Sequence, residues 1–433
     1  LIMRKTILLL LVVAMTLSAQ NDTLSLDLSG WVGLAIENSP QLDISSADLM
    51  SSEAALRSVE SFLWPTLSFS SSARHNWTST PDMAGGYTDT DNTTWSMSAS
   101  VSQELLASGG SSWLRRSGSR RSVEAARLDH DQARLDLTMD VIEAYYGVVE
   151  SLGLLGSSRR ALERSKEQLS RTSSLYRIGG ATNLELIQAE VQQSTDSLTV
   201  LQREQAVSNA YTVLYRTAGV IGSEYRVDRD AVLQPVTEST ALGYDLDLSG
   251  SNTLAASEER LAAAEYSYEA SSRSYWPSLN AGGSWSWSND ELDLEDLSDR
   301  DSWQVSLSLQ WTLFDGFNRE GIIQSARAAM LRQRASHESL QNSVRSSVLT
   351  ARNNLVNSIR SWELSLEVLN QAREQLRLSQ MSYDLGSISL LDLLEAQSRV
   401  ASAEASVESS RTSCLVAEAR LLVLLGYPPR VGE

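Results

Sequence analysis

Hydrophobic positions along the chain follow two periods. Large, mostly apolar residues recur every seven positions at Val348, Leu355, Trp362, Leu369, Leu376 and Tyr383. The same column stands 207 positions earlier, at Val141, Val148, Leu155, Leu162, Leu169 and Tyr176. Three residues after each of the first five members comes a small side chain: Ala351, Ser358, Ser365, Ala372 and Ser379, and Ala144, Ser151, Ser158, Ser165 and Thr172. A strict seven-residue period predicts long helices with left-handed supercoiling, and large beside small columns let neighbours interdigitate. At about 1.5 Å per residue, Gly109 to Tyr176 and Gly316 to Tyr383 are each rods of roughly 100 Å. Each rod ends in Tyr-x-x-Gly, at Tyr176 and Gly179 and at Tyr383 and Gly386, where glycine suits a left-handed cap. A return helix follows each: Leu186, Val200, Val207 and Leu214 repeat as Leu393, Val407, Cys414 and Leu421.

The second period is two. Leu67, Phe69, Ser71 and Ala73 alternate with mostly serine, as do Trp95, Met97, Ala99 and Val101. In the later half Leu279, Ala281, Gly283, Trp285 and Trp287, then Trp303 to Leu313, alternate likewise. Trp64–Pro65 and Trp276–Pro277 precede these runs, and a residue before proline is pushed to extended geometry, so both pairs mark a helix-to-strand change. Runs of about 9–11 residues with aromatics near their ends have the length of membrane β-strands. A soluble hairpin with one dry face is the plainer reading. Export, small polar residues on the other face and tryptophan-marked ends favour a membrane barrel. Four strands cannot close a barrel, and open edges are not tolerated in lipid, so the chain is expected to oligomerise; three copies supply twelve strands.

The predicted organisation is mostly α with β, a duplicated pair of long-helix coiled coils plus two β-hairpins. Residues 1–19 read as a signal peptide, with Arg4 and Lys5 before an apolar core and a small-residue zone ending at Ala19. The first repeat, 20–219, has helices over 30–62, strands 66–77 and 93–105, a long helix 110–177 and a return helix 183–218. A linker, 220–251, forms a band outside the helical body. The second repeat, 252–426, has a helix 252–274, strands 278–288 and 302–314, a long helix 317–384 and a return helix 390–425. A tail spans 427–433. Gly147, Gly153 and Gly156 interrupt the first long helix without counterparts in the second. Each costs about 1 kcal/mol against alanine, which predicts a bend or break there.

Composition narrows the function. Proline, seven in all, is absent between Pro81 and Pro235 and between Pro277 and Pro428, leaving both gaps open to long helices. A net charge of −18 argues against nucleic acid. One cysteine permits no internal disulfide. No phosphate loop, nucleophile elbow, HExxH or Cys/His metal spacing occurs, so no enzyme, cofactor or metal is expected.

The order of signal, helix, Trp-Pro, hairpin, long helix, Tyr-x-x-Gly and return helix, repeated at a fixed offset, resembles the TolC-type outer-membrane efflux proteins over the whole mature chain. The resemblance implies a homotrimer in which a twelve-stranded β-barrel in outer-membrane lipid is continued by a twelve-helix periplasmic α-barrel. It further implies a periplasmic adaptor and an inner-membrane pump as partners. Tyr383 then matches the tip tyrosine, Asp392 and Glu395 the acidic ring residues of one coil, and Glu185 the acid of the other. Tyr176, Gly179, Tyr383 and Gly386 would dock the adaptor. The gate arginine common in the family falls at Ile388, so the latch must differ. Asp392 and Glu395 share one helix face, and threefold symmetry makes each a ring of like charge. The alternative is two solvated acids favoured by a helix N-terminus.

The remaining candidates have bland readings beside the sharp ones. His130 and His337, 207 apart, line a metal route or are exposed residues sharing a position by descent. Cys414 lies in an apolar column as a buried thiol. Asp290 to Asp301 is a calcium site without ordered spacing or a solvated outer loop. Arg115, Arg116, Arg120 and Arg121 meet lipid phosphates or begin a solvated helix. The expected function is a passive exit duct of a tripartite efflux or secretion system, gated at its coil tips. A type I protein-secretion duct, or an exported coiled coil without a pore, are the alternatives.

Overall fold

The computed structural model describes residues 24–81, 83, 85–220, 225–228, 232–292 and 301–430. The signal expected over 1–19, most of the acidic run between Asp290 and Asp301, and the last three residues of the tail lie outside these. In chain order the elements are β1 (Leu24–Leu26), α1 (Leu28–Asn38), α2 (Pro40–Glu60), β2 (Thr66–Pro81), β3 (Tyr87–Leu106), α3 (Ser111–Arg177), α4 (Asn183–Thr217), β4 (Tyr225–Val227), α5 (Glu238–Gly243), α6 (Asn252–Ser272), β5 (Ser278–Asn289), β6 (Asp301–Gln310), α7 (Asn318–Asp384) and α8 (Leu390–Leu424). No helix among the described residues is long and apolar enough to cross a membrane. The chain divides into two compact units, residues 1–45, 130–252 and 342–433, and residues 46–129 and 253–341.

The first unit is helical. The seven-residue columns supply its core: Val141, Val148 and Leu155 of α3 are buried, as are Val348, Leu355 and Leu369 of α7. Trp31 of α1 is fully buried against Tyr215 and Tyr225, and β1 pairs in parallel with β4, which fastens the linker to the start of the chain. Of the bend or break expected in α3, the break does not occur; the helix runs 67 residues without interruption. Gly153 has a packing reason instead. A Cβ there would lie 2.8 Å from the carboxylate of Glu408 on α8, so the glycine lets that side chain lie on the helix.

The second unit holds a four-stranded antiparallel sheet in the order β2–β3–β5–β6. Both Trp-Pro sites end a short 3₁₀ turn with tryptophan in extended conformation. The strand expected over 66–77 continues to Pro81, and its partner begins at Tyr87 rather than 93, so the first hairpin extends past the end of β5. The strand expected over 302–314 stops at Gln310. Pairing of β3 with β5 joins the two repeats inside one chain. Gly109 (φ 65°) seals that junction: a Cβ on it would stand 2.7 Å from Cβ and Cγ of Trp276, and its N–H donates to the Pro277 carbonyl at 3.3 Å.

Candidate functional site

Two surfaces bear on function, one in each unit. The sheet presents two chemically distinct faces. On one, Leu67, Phe69, Val101, Trp303, Val305, Leu307 and Leu309 are all exposed. On the other, the register aligns Ser70, Ser98, Ser286 and Ser302 across all four strands. Cross-strand hydroxyls hydrogen-bond at 2.7 Å for Ser68–Ser100 and Ser70–Ser98, and at 2.9 Å for Ser286–Ser302. Asp301 accepts from the indole N–H groups of Trp285 (3.2 Å) and Trp303 (3.0 Å), fixing two rings at one end of the apolar band. An exposed apolar face backed by a hydroxyl face, with aromatics at its end, is the pattern of a strand standing between lipid and water. Among the described residues, the outer edges of β2 and β6 have no strand beside them.

At the other surface, α3 and α7 end with glycines in the left-handed region, Gly179 (φ 77°) and Gly386 (φ 73°). The next N–H reaches back five residues, from Gly180 to Leu175 (2.8 Å) and from Ser387 to Ser382 (2.9 Å), closing each helix. The return helices open with capping boxes at equivalent positions. Thr182 and Glu185 cap α4, and Ser389 and Asp392 cap α8. The Glu185 carboxylate accepts from the Thr182 N–H at 2.7 Å, and that of Asp392 from the Ser389 N–H at 3.0 Å. Hydrogen bonds from the Ser389 hydroxyl and N–H hold the exposed Asp392 below the usual carboxylate range. Glu395 pairs with Arg399 at 2.7 Å. Within one chain, then, two of the three expected ring acids serve as caps and the third as an ion-pair partner.

Tyr383 packs on Leu169, Ala189, Leu390 and Leu394, bringing four helices together. Burial, and then the nearby Glu185 carboxylate, push its phenol up, while hydrogen bonds with Thr172 and Gln168 oppose the shift. Arg171 of α3 lies over the Tyr383 ring (6.0 Å to the centroid) and pairs with Asp384 at 2.6 Å. A second cross-link stands further from the tip. Glu404 of α8, 8% exposed at its side chain, accepts from Arg160 of α3 at 3.1 Å and from Arg373 of α7 at 3.4 Å. None of these five charged residues emerges from the sequence pattern. Positions 207 away hold Leu378 for Arg171, Arg177 for Asp384, Glu367 for Arg160, Ser197 for Glu404 and Lys166 for Arg373. Beyond the two clasps, the tips display Ile178 and Leu385, each about four-fifths exposed, and Leu184 and Leu391 behind them. Tyr176 is partly exposed beside them.

Several of the other sequence candidates have structural partners. His130 bonds through Nδ1 to Ser45 (2.8 Å) and His337 to Ser257 (2.9 Å), a repeated contact between a long helix and the helix before its strands. Burial pushes the Cys414 thiol up to about 11. Arg116 and Arg120 face Glu60, and Arg121 faces Glu259 at 3.0 Å.

A duplicated helical hairpin with a cap at each tip, joined in sequence to a sheet dry on one face, defines a membrane conduit protein by class. The profile of the family described as Outer membrane efflux protein matches residues 31–220 and 243–427, and the chain belongs to that family. It is 23% identical over 398 residues to outer membrane protein TolC of Vibrio cholerae serotype O1, covering 90% of this chain and 89% of that one. Among solved structures it is similar to the Campylobacter jejuni CmeC outer membrane channel (TM-score 0.79, 18% identity, 92% of this chain and 85% of that one). It is likewise similar to the outer membrane protein VceC of Vibrio cholerae (TM-score 0.80, 16% identity, 93% and 97%). The chain is thus an outer-membrane efflux channel of TolC-like fold, and its place is the outer membrane and the periplasm beneath it.

Proposed function

We propose that three copies close into a twelve-stranded barrel continued by a twelve-helix tube, a passive exit duct for an inner-membrane pump with its periplasmic adaptor. The observation that carries this reading is the β3–β5 pairing. It joins the second strand of one repeat to the first strand of the next, and the repeat leaves β6 and β2 as the equivalent, unpaired edges. Lipid tolerates no such edge. Repeat equivalence also supplies the register. Val101 stands opposite Gly283 and Ala99 opposite Trp285. Their counterparts place Leu309 opposite Ser71, and Leu307 opposite Ala73, of a second copy. The same logic seats an exposed Trp64 on Gly316 of its neighbour, as Trp276 seats on Gly109.

The mouth of this duct is read as the coil tips, with the adaptor docking on the turns at Tyr176 and Gly179 and at Tyr383 and Gly386. With Ile388 where a gate arginine is common, Arg171 and Asp384 provide the latch from within one copy. Glu185, Asp392 and Glu395 border the mouth and give it a preference for cations.

Paired cysteines at Ser71 and Leu309, with Cys414 replaced by serine, test the register. Oxidation should give covalent dimers and trimers from membranes. Cysteines shifted by one residue should not cross-link, and a reversal of that order would overturn the closure.

A further inference from the structure

The hydroxyl face of the sheet carries one departure from its own pattern. Along β2 and β3 the facing pairs are Ser68–Ser100, Ser70–Ser98 and Ser72–Ser96, the last hydrogen-bonded at 2.8 Å. The next pair on that face is Arg74–Thr94. Counted from Pro65 and Pro277, Arg74 corresponds to Ser286, one of the serines aligned across all four strands. Between Glu104 at one end of this face and Asp290 at the other, Arg74 is the single charged side chain among the described residues. It is exposed and has no hydrogen bond or ion pair among them. His75, next to it on the apolar face, is held at both ring nitrogens instead, by Thr93 at 2.7 Å and by Asp91 at 2.6 Å. A polar side chain on the lipid side has to be satisfied within the protein, whereas an unpaired guanidinium belongs in water.

On an open surface such an arginine is merely solvated. Closure of the barrel confines that water to a narrow column. Twelve strands about 4.8 Å apart and tilted about 40° give a circumference of about 75 Å and a radius of about 12 Å. With bonds of about 1.5 Å, an arginine side chain reaches about 6 Å inward and leaves its charge about 6 Å from the axis. The equivalence that sets Leu307 of a second copy opposite Ala73 sets Ser306 of that copy opposite Arg74, a neutral neighbour across the seam. The nearest acid on this face among the described residues is Asp290, which follows the Asn289 paired with Trp95. It lies two strands from Arg74, about 10 Å. The Debye length is also about 10 Å at 0.1 M salt, so three such charges act across the whole column. Screened Coulomb attraction then enriches a monovalent anion on the axis severalfold, and by less than about twofold at 1 M, where the length is about 3 Å. An anion carrying several charges gains more.

We infer that Arg74 sets the ion preference of the barrel: a threefold collar of guanidinium groups that binds the phosphate, sulfonate or carboxylate groups of solutes in the lumen, opposite in sign to the acids of the coil tips. The inference rests on the duct reading. Planar-bilayer recordings of wild-type, Arg74→Ser and Arg74→Lys trimers test it. Arg74→Ser installs the residue of the sister strand, so the sheet should still form, and Arg74→Gln gives a second neutral variant of similar length. In a KCl gradient both neutral variants should shift the reversal potential toward that of potassium, and Arg74→Lys should stay near wild type. Inositol hexakisphosphate added on the barrel side in about 0.1 M KCl should block wild type and Arg74→Lys at concentrations several-fold below those needed for the neutral variants, and about 1 M KCl should remove the difference. Equal reversal potentials, equal block, or a difference that survives high salt would each overturn the collar. Wild-type protein that forms no trimers or passes no current would instead fail the duct.

Discussion

Replacing Asp384 by asparagine should loosen the mouth, and the size of the effect follows from exposure. Arg171 and Asp384 are 47% and 43% exposed at their side chains, so their pair is screened and gains roughly 0.2–1 kcal/mol. Taking about 0.5 kcal/mol, simultaneous loss in three copies removes about 1.5 kcal/mol from the closed arrangement. Since about 1.36 kcal/mol is tenfold, the closed-to-open ratio should fall by about one order of magnitude. Purified trimers in planar bilayers report this as a rise in mean conductance relative to wild type. The Debye length shrinks from about 10 Å at 0.1 M salt to about 3 Å at 1 M, so the variant-to-wild-type ratio should approach one at high salt. Arg171 keeps its place over the Tyr383 ring, so the coil should still fold. Equal conductance at 0.1 M, or a rise that salt leaves untouched, would refute an electrostatic latch at this pair.

Glu404→Ala should act more strongly. Its buried carboxylate serves two arginines, and losing one partner of a buried pair costs about 3–5 kcal/mol, discounted here to about 2 kcal/mol because both arginines are more than half exposed. Antibiotic uptake through a null strain carrying the variant, compared with one carrying Asp384→Asn, checks that order. Gly109→Ala places a Cβ 2.7 Å from Trp276, whereas the same change at Gly316 meets nothing within one chain. Equal loss of trimer on semi-denaturing gels for both variants is expected if Trp64 of a neighbour occupies the second seat, and a harmless Gly316→Ala would count against it. Burial pushes the Tyr146 phenol up to about 12. Its folded value lies above the ordinary tyrosine value of 10.0, so the contribution is complete below pH 10 and lost as pH rises toward 12. Tyr146→Phe should flatten the fall in thermal midpoint over that range.

The duplication made the architecture legible from the sequence. Seven-residue columns at Val141 and Val348 and alternation after Trp64 and Trp276 need only local periodicity, and a second copy confirms each against chance. The same reliance on repetition hid the residues that link α3 to the second pair of helices. Arg171, Asp384 and Glu404 have no charged equivalent able to repeat their contacts, since their partners lie far along the chain. The acids that repetition did select, Glu185 and Asp392, repeat because each helix needs its own cap. A shared backbone requirement survives duplication in both halves. A contact between the halves needs only one of each residue and so departs from the pattern.

That distinction also accounts for Gly153 and Phe317. Both break the correspondence between repeats, and local propensity marks both as errors, one a glycine within a helix and the other a phenylalanine at a glycine's dihedral angle. Gly153 admits Glu408 from another helix, a partner that only tertiary structure brings near. Phe317 stands edge-to-face with the exposed Phe314, and its turn is held by the contacts of Asp315 with Arg319. In a duplicated protein the departures from symmetry point to what the two halves do differently, and here one departure lies between the coils and the other in the turn between β6 and α7.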